Sequence, residues 1–226
     1  MTTSEWKNYR VEIQDGVATV LVDLPGEPVN TLSRETGAEF GAVLDALEKD
    51  PAVKAIVLAS GKKDGFVAGA KIEMLRDVKD AAEAAELSRD AQAGFDRLEK
   101  LGKPVVAAVH GPCLGGGLEW AMACHYRVVS NDRKTQLGLP EVQLGVIPGA
   151  GGTQRMPRLV GIATALDLIL AGKTVKPKKA LAIGLVDESV PPAMLLEVAR
   201  TRALYQNVCQ FARHDDSFPP FNDNTR

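Results

Sequence analysis

Two short runs constrain the fold of this 226-residue chain more than any other feature. Residues 53–58 (Val-Lys-Ala-Ile-Val-Leu) and 104–109 (Pro-Val-Val-Ala-Ala-Val) carry one polar side chain between them, Lys54. Runs this short, β-branched and apolar at successive positions read as strands buried on both faces. Each leads into a glycine-bearing loop and then a helical pattern. Buried strands alternating with helices predict α/β architecture.

The remaining elements fit around these two. Residues 10–14 and 17–24 predict paired strands joined at Asp15-Gly16, a dipeptide suited to the left-handed conformations of a tight hairpin. Ser33 is placed to cap a helix over 34–49, with Phe40, Val43, Leu44 and Leu47 at helical spacing. An Ala/Glu-rich stretch after Asp80 predicts a long helix stopping near Leu101-Gly102. Gly115-Gly116-Gly117 opens a short helix to about Cys124, and 126–129 reads as a strand. Helical patterns follow over 159–170, 178–183 and 194–204. Residues 205–226, with Phe218-Pro219-Pro220-Phe221, lose that pattern and read as a tail or loop.

Composition excludes several classes. Apolar residues make up 45% and charged residues 25%, the mix of a globular protein rather than a disordered, collagen-like or disulfide-dense one. A net charge of −2 gives no global basic character for nucleic acid. Residues 1–100 hold 13 basic and 19 acidic side chains, and 101–226 hold 14 and 10. That asymmetry suits an anionic ligand on the second half, and equally fits uneven scatter over solvated faces. Cys113, Cys124 and Cys209 make no disulfide framework. The first residues lack an apolar signal core, and no run approaches the ~18 apolar residues of a membrane span, so a soluble cytoplasmic protein is expected.

Three segments could carry chemistry. At 115–119 a strand ends, three glycines follow and a helix begins. Its first amides have no intrahelical partners, and the helix dipole favours negative charge there, which suits an oxyanion. A glycine run also fits a plain tight turn, and Glu119 in the first turn also fits a surface acid compensating the dipole. At 65–71 small residues crowd a loop whose Ala70 amide could be a second donor. At 138–141, Glu141 sits beside Pro140 in an apolar stretch. If buried, its pKa rises into the range of a proton-transfer group; otherwise it is an exposed loop acid. Other patterns fail. Gly172-Lys173-Thr174 lacks the first glycine of a phosphate-binding loop, since position 167 is Asp. His110, Cys113, Cys124 and His125 match no zinc spacing.

In order and spacing, these segments resemble the enoyl-CoA hydratase/isomerase (crotonase) family. Ala68-Gly69-Ala70 matches its first oxyanion segment, and 110–119 matches the second together with the first catalytic acid. Leu139-Pro140-Glu141, followed by 148–155 (Pro-Gly-Ala-Gly-Gly-Thr-Gln-Arg), matches the second acid and its loop. The sequences at 123–128 and 137–145 look most like the hydratase portion of the α subunits of fatty-acid oxidation multienzymes. The resemblance implies a crotonase, ClpP-like spiral of repeated ββα units with C-terminal helices, occupying residues 1–204. It implies an enoyl-CoA substrate, coenzyme A being part of that substrate, with no separate cofactor and no metal. It implies an oxyanion hole from the amides of Ala70 and Gly116, with Glu119 and Glu141 as catalytic acids. Ala68, Lys71, Ile72, Gly115 and Gly149 are assigned to substrate binding, and Gly149 to orienting water through its amide. A homo-oligomer, trimer or hexamer, is expected by the same resemblance.

Two departures stand out. Lys71 replaces the Asp usual after Gly-Ala in the family. The C-terminal helices expected of the family are absent from the matching region, and 205–226 forms an atypical tail. The expected activity is hydration of the 2,3 double bond in fatty-acid β-oxidation, with possible Δ3–Δ2 isomerase activity. The alternatives are another crotonase-fold acyl-CoA reaction, hydrolysis or decarboxylation, and a weak or inert acyl-CoA-binding module.

Overall fold

A computed structural model describes residues 6–213, with side chains through 205. The chain runs β1 (Tyr9–Gln14), β2 (Val17–Val22), α1 (Arg34–Lys49), β3 (Ala55–Ser60), α2 (Ile72–Arg76) and α3 (Ala81–Glu99). It continues with β4 (Val105–Val109), β5 (Pro112–Leu114), α4 (Gly116–Ala123), β6 (Tyr126–Ser130) and β7 (Gln136–Gly138), then a 3-10 turn at Glu141–Leu144. Last come α5 (Gly152–Val160), α6 (Ile162–Leu170), β8 (Thr174–Val175), α7 (Pro177–Ala182), β9 (Glu188–Val190), a 3-10 turn at Pro192–Met194, and α8 (Leu195–Arg213). A six-stranded sheet has the order β1-β2-β3-β4-β6-β9, antiparallel only at β1–β2. A second sheet has the order β5-β7-β8.

Local chemistry accounts for these elements. Asp15 and Gly16 both take positive φ, 53° and 80°, so the hairpin closes in two residues with Gln14 opposite Val17. Ser33 Oγ accepts from the Thr36 amide and Thr36 Oγ1 from the Ser33 amide, a reciprocal cap on α1. Asp80 caps α3 through the Glu83 amide.

The main sheet is covered on both faces, which is why β3 and β4 read as continuous apolar runs. Ile56 and Leu58 point into a large core with Phe40, Leu44, Phe95 and Trp120. Ala55, Val57 and Ala59 point the other way, onto Leu195, Ala199 and Ala203 of α8. Those three recur every four residues, and the two alanines let α8 lie close to the strands.

The structure corrects several expectations. β3 begins at Ala55 rather than 53; Val53 is buried but lies in the preceding turn. The pattern over 159–170 is two helices, broken at Gly161, whose φ is +81°. α8 continues past 204 to Arg213, since no glycine or proline intervenes before Pro219. The expected tail at 205–226 is therefore helical in its first part, and 214–226 lie outside the described residues. Among the described residues, no helix is long and apolar enough to cross a membrane.

Candidate active site

The site grows from two turns at the ends of adjacent strands. After β3, the chain at 66–71 is pinned by Asn30. Its side-chain amide donates to the carbonyls of Val22 (2.8 Å) and Phe66 (3.1 Å) and to Ser60 Oγ (2.9 Å), while its Oδ1 accepts from Leu24. Leu32 then brackets Ala70: the Leu32 amide donates to Gly69 O and the Leu32 carbonyl accepts from Lys71 N, both at 2.8 Å. In such a parallel bridge the bracketed residue turns its own amide away. The Ala70 N–H accordingly has no acceptor among the described residues.

After β4 and β5, Gly115 adopts φ 52°, ψ −130°, a conformation open essentially to glycine. It starts α4, so the Gly116 N–H belongs to a first helical turn and finds no acceptor within the helix. The two amides lie close together. A methyl group built on Gly116 would lie 3.7 Å from Ala70 N, and one built on Gly69 would lie 3.7 Å from Gly116 N. The turns touch through Val67, whose carbonyl accepts from Leu114 at 3.0 Å. Gly117 packs so tightly there that an added methyl would lie 2.8 Å from Val67 Cβ and closer still to Val67 O.

Glu119 projects from α4, a helix buried along nearly its whole length and anchored by Trp120, which stacks on Phe95 and meets Phe40 edge-on at 4.6 Å. The Glu119 side chain is buried, and its Oε1 accepts from the amides of Ala150 (2.9 Å) and Gly152 (2.7 Å). Burial raises its pKa above the ordinary carboxylate value, while those two amides and the Arg155 guanidinium act in the opposite direction. Glu141 opens the 3-10 turn after β7, with Oε1 3.2 Å from where a Gly115 methyl would sit. Its Oε2 is buried without a partner among the described residues. Burial first, and the nearby charge of Glu119 with it, push its pKa up to about 7, against the lowering effect of its own backbone amide. Glu141 is thus the half-buried acid rather than the exposed one.

The other residues singled out in the sequence fall around this centre unequally. Gly115 is packed between Glu141 and the 66–71 turn, with Glu141 Oε1 3.2 Å and Gly69 Cα 3.6 Å from its would-be methyl. Gly149 is half-buried, its carbonyl accepting from Gln92 at 2.7 Å. Ala68 is exposed, and its amide is used by Asn30 O. Lys71 and Ile72 are exposed at the rim where α2 begins, and α2 buries none of its side chains. Sequence reading missed the role of Asn30 and the amides of Ala150 and Gly152. Nothing local to 150–152 marks which carboxylate its amides will meet; the contact arises when α5 packs on α4.

Comparison with known proteins gives consistent relatives. The family model for enoyl-CoA hydratase/isomerase matches residues 12–210. The fatty acid oxidation complex subunit alpha of Shewanella sp. ANA-3 is 54% identical over 191 residues, covering 84% of this chain and 27% of that protein. Its counterpart in Shewanella putrefaciens is 55% identical over 190 residues, with the same coverage. The chain thus spans about a quarter of the length of these relatives. An enoyl-CoA hydratase structure from Geobacillus kaustophilus superposes with a TM-score of 0.83 at 32% identity, over 92% of this chain and 76% of that one. One from Thermoplasma volcanium superposes at 0.79 with 30% identity, over 90% and 78%.

Proposed function

The chain belongs to the enoyl-CoA hydratase/isomerase family, and from that premise we propose that it adds water across the 2,3 double bond of an enoyl-CoA in fatty-acid oxidation. One observation carries the reading. Three polar groups without partners meet at one place: the amides of Ala70 and Gly116, and Glu141 Oε2. A buried carboxylate oxygen without a partner is rare in a folded protein, and beside the free amides of two half-buried residues it makes a receptor for a polar ligand.

Each group has a task in hydration. The thioester oxygen accepts from the amides of Ala70 and Gly116, which hold the negative charge that develops on it. Removing one such donor costs about 3–4 kcal/mol of barrier in other enzymes. Glu119, fixed by two amides, takes a proton from water as the water oxygen bonds to Cβ. Glu141 delivers a proton to Cα, closing the balance of one water added. A carboxyl with a pKa of about 7 can hold and release that proton at neutral pH. The Gly149 amide, which has no acceptor among the described residues, is assigned to orienting the water. With the same Glu141 moving a proton between two carbons, Δ3–Δ2 isomerisation is a side reaction of this site. We also propose that the chain works as a homo-oligomer, trimer or hexamer, since Leu144, Ile147, Ile162, Leu166 and Leu170 expose large apolar side chains.

The test is loss of the enone absorbance of crotonyl-CoA with wild type and Glu141→Gln. Turnover that falls by about 10²–10⁴ in the variant supports the reading. Equal rates remove Glu141 from it. Tight binding without turnover in wild type would identify an acyl-CoA-binding module instead.

A further inference from the structure

Hydration asks Glu119 to act as a base, and its aim depends on the turn that leads into α5. The amides of Ala150 and Gly152 that take Oε1 belong to residues 149–152, and this turn is held from outside at two points. Arg155 donates from Nη1 to Ala150 O at 3.1 Å. The same guanidinium donates from Nη2 to Asp96 Oδ1 (2.6 Å) and Glu99 Oε2 (2.9 Å), and from Nε to Glu99 Oε2 (3.1 Å). Gln92 donates from Nε2 to Gly149 O at 2.7 Å. Gln92, Asp96 and Glu99, spaced by four and three, form one stripe of α3. The peptide joining 149 and 150 is therefore gripped at both ends, its carbonyl by Gln92 and its N–H by Glu119.

Resting on the hydratase reading, we infer that Arg155 is a positioning residue for Glu119: it ties the 149–152 turn to α3, and Gln92 supports the same turn through Gly149. The arrangement is unlike a surface ion pair. The Arg155 side chain is 9% exposed, although Asp96 and Glu99 are each 55% exposed. A planar fork with several fixed donors can reach the turn and the helix together, which a point charge on a lysine cannot. The charged groups acting on Glu119 are Arg155 from α5 and Glu141 from the 3-10 turn. Asp96 and Glu99 of α3 meet Arg155 instead. Losing the Arg155 fork while keeping its charge should loosen the two amides, and Glu119 should then titrate higher.

The test uses the full chain with glutamate carbons labelled, the Glu119 signal being identified by its loss in Glu119→Gln. Arg155→Lys and Gln92→Met are titrated by carbon NMR and assayed on crotonyl-CoA. The expected result is a higher Glu119 midpoint in both, with kcat down about tenfold in Arg155→Lys and about fivefold in Gln92→Met, and KM within about twofold. Folded variants with wild-type midpoint and kcat overturn the inference. So does a lower melting temperature or a lower kcat with the midpoint unmoved, because that marks a merely structural role. If Arg155→Lys does not fold, Gln92→Met decides, since that side chain is at the surface. If wild type lacks hydratase activity, the hydratase reading falls, and the Glu119 midpoints alone decide this one.

Discussion

Replacing Glu141 with Gln should stabilise the protein, increasingly as pH rises from about 4.5 to 7. Glu141 ionises at an ordinary 4.5 when free and at about 7 in the fold. Between those values the folded state keeps a proton that the unfolded chain has lost, so this group's contribution to stability falls as pH rises. At about 1.4 kcal/mol per unit, the full shift corresponds to roughly 3.4 kcal/mol. Glu141 as a whole is only partly buried, so solvent screening reduces this to about 1.5–2 kcal/mol. Gln has the same shape and no charge to desolvate. Glu141→Gln should therefore match wild type near pH 4.5 and exceed it by about 1.5–2 kcal/mol at pH 8, with the change spread between. Urea denaturation followed by tryptophan fluorescence measures this, and taking the difference between the two proteins cancels the other titrating groups. A constant difference from pH 4.5 to 8 would refute the argument. A variant less stable than wild type at pH 8 would mean that the fold favours the ionised carboxylate, contrary to its raised pKa.

Two further outcomes test the frame around the acids. Gly117→Ala forces a methyl to within 2.8 Å of Val67 Cβ and against its carbonyl. Urea denaturation should show a loss of about 1–3 kcal/mol or more, and an unchanged stability would mean the turns are further apart than described. Analytical ultracentrifugation at micromolar concentration should show a trimer or hexamer; a monomer would sink the oligomer proposal.

Much of this was legible in the sequence, and the illegible part has a common cause. The hairpin at Asp15-Gly16, the cap at Ser33 and the buried stripe Phe40, Val43, Leu44, Leu47 depend on neighbours in the chain, and all form as expected. Apolarity placed β3 two residues early because it reports burial rather than pairing, and Val53 is buried without joining the ladder. β5, β7, β8 and β9 span two or three residues each, too few to display a period. Glu119 and Glu141 stood out by their place beside glycine and proline. Arg155 did not, since its partners Asp96 and Glu99 lie more than fifty residues away in α3.

The contact of the two glycine turns at Val67 has a kinetic meaning. Val67 follows β3, while Leu114 and Gly117 flank the start of α4, so nearly fifty residues and all of α3 must be in place before the turns can touch. Local helices and the β1–β2 hairpin can form early, because their loops are short. The proposed receptor for the thioester oxygen cannot. It comes into being only as this long loop closes, and a half-folded chain holds neither amide in register with the other. A ligand bound between them therefore favours the completed fold over every partial one, drawing the whole assembly toward its final state by mass action.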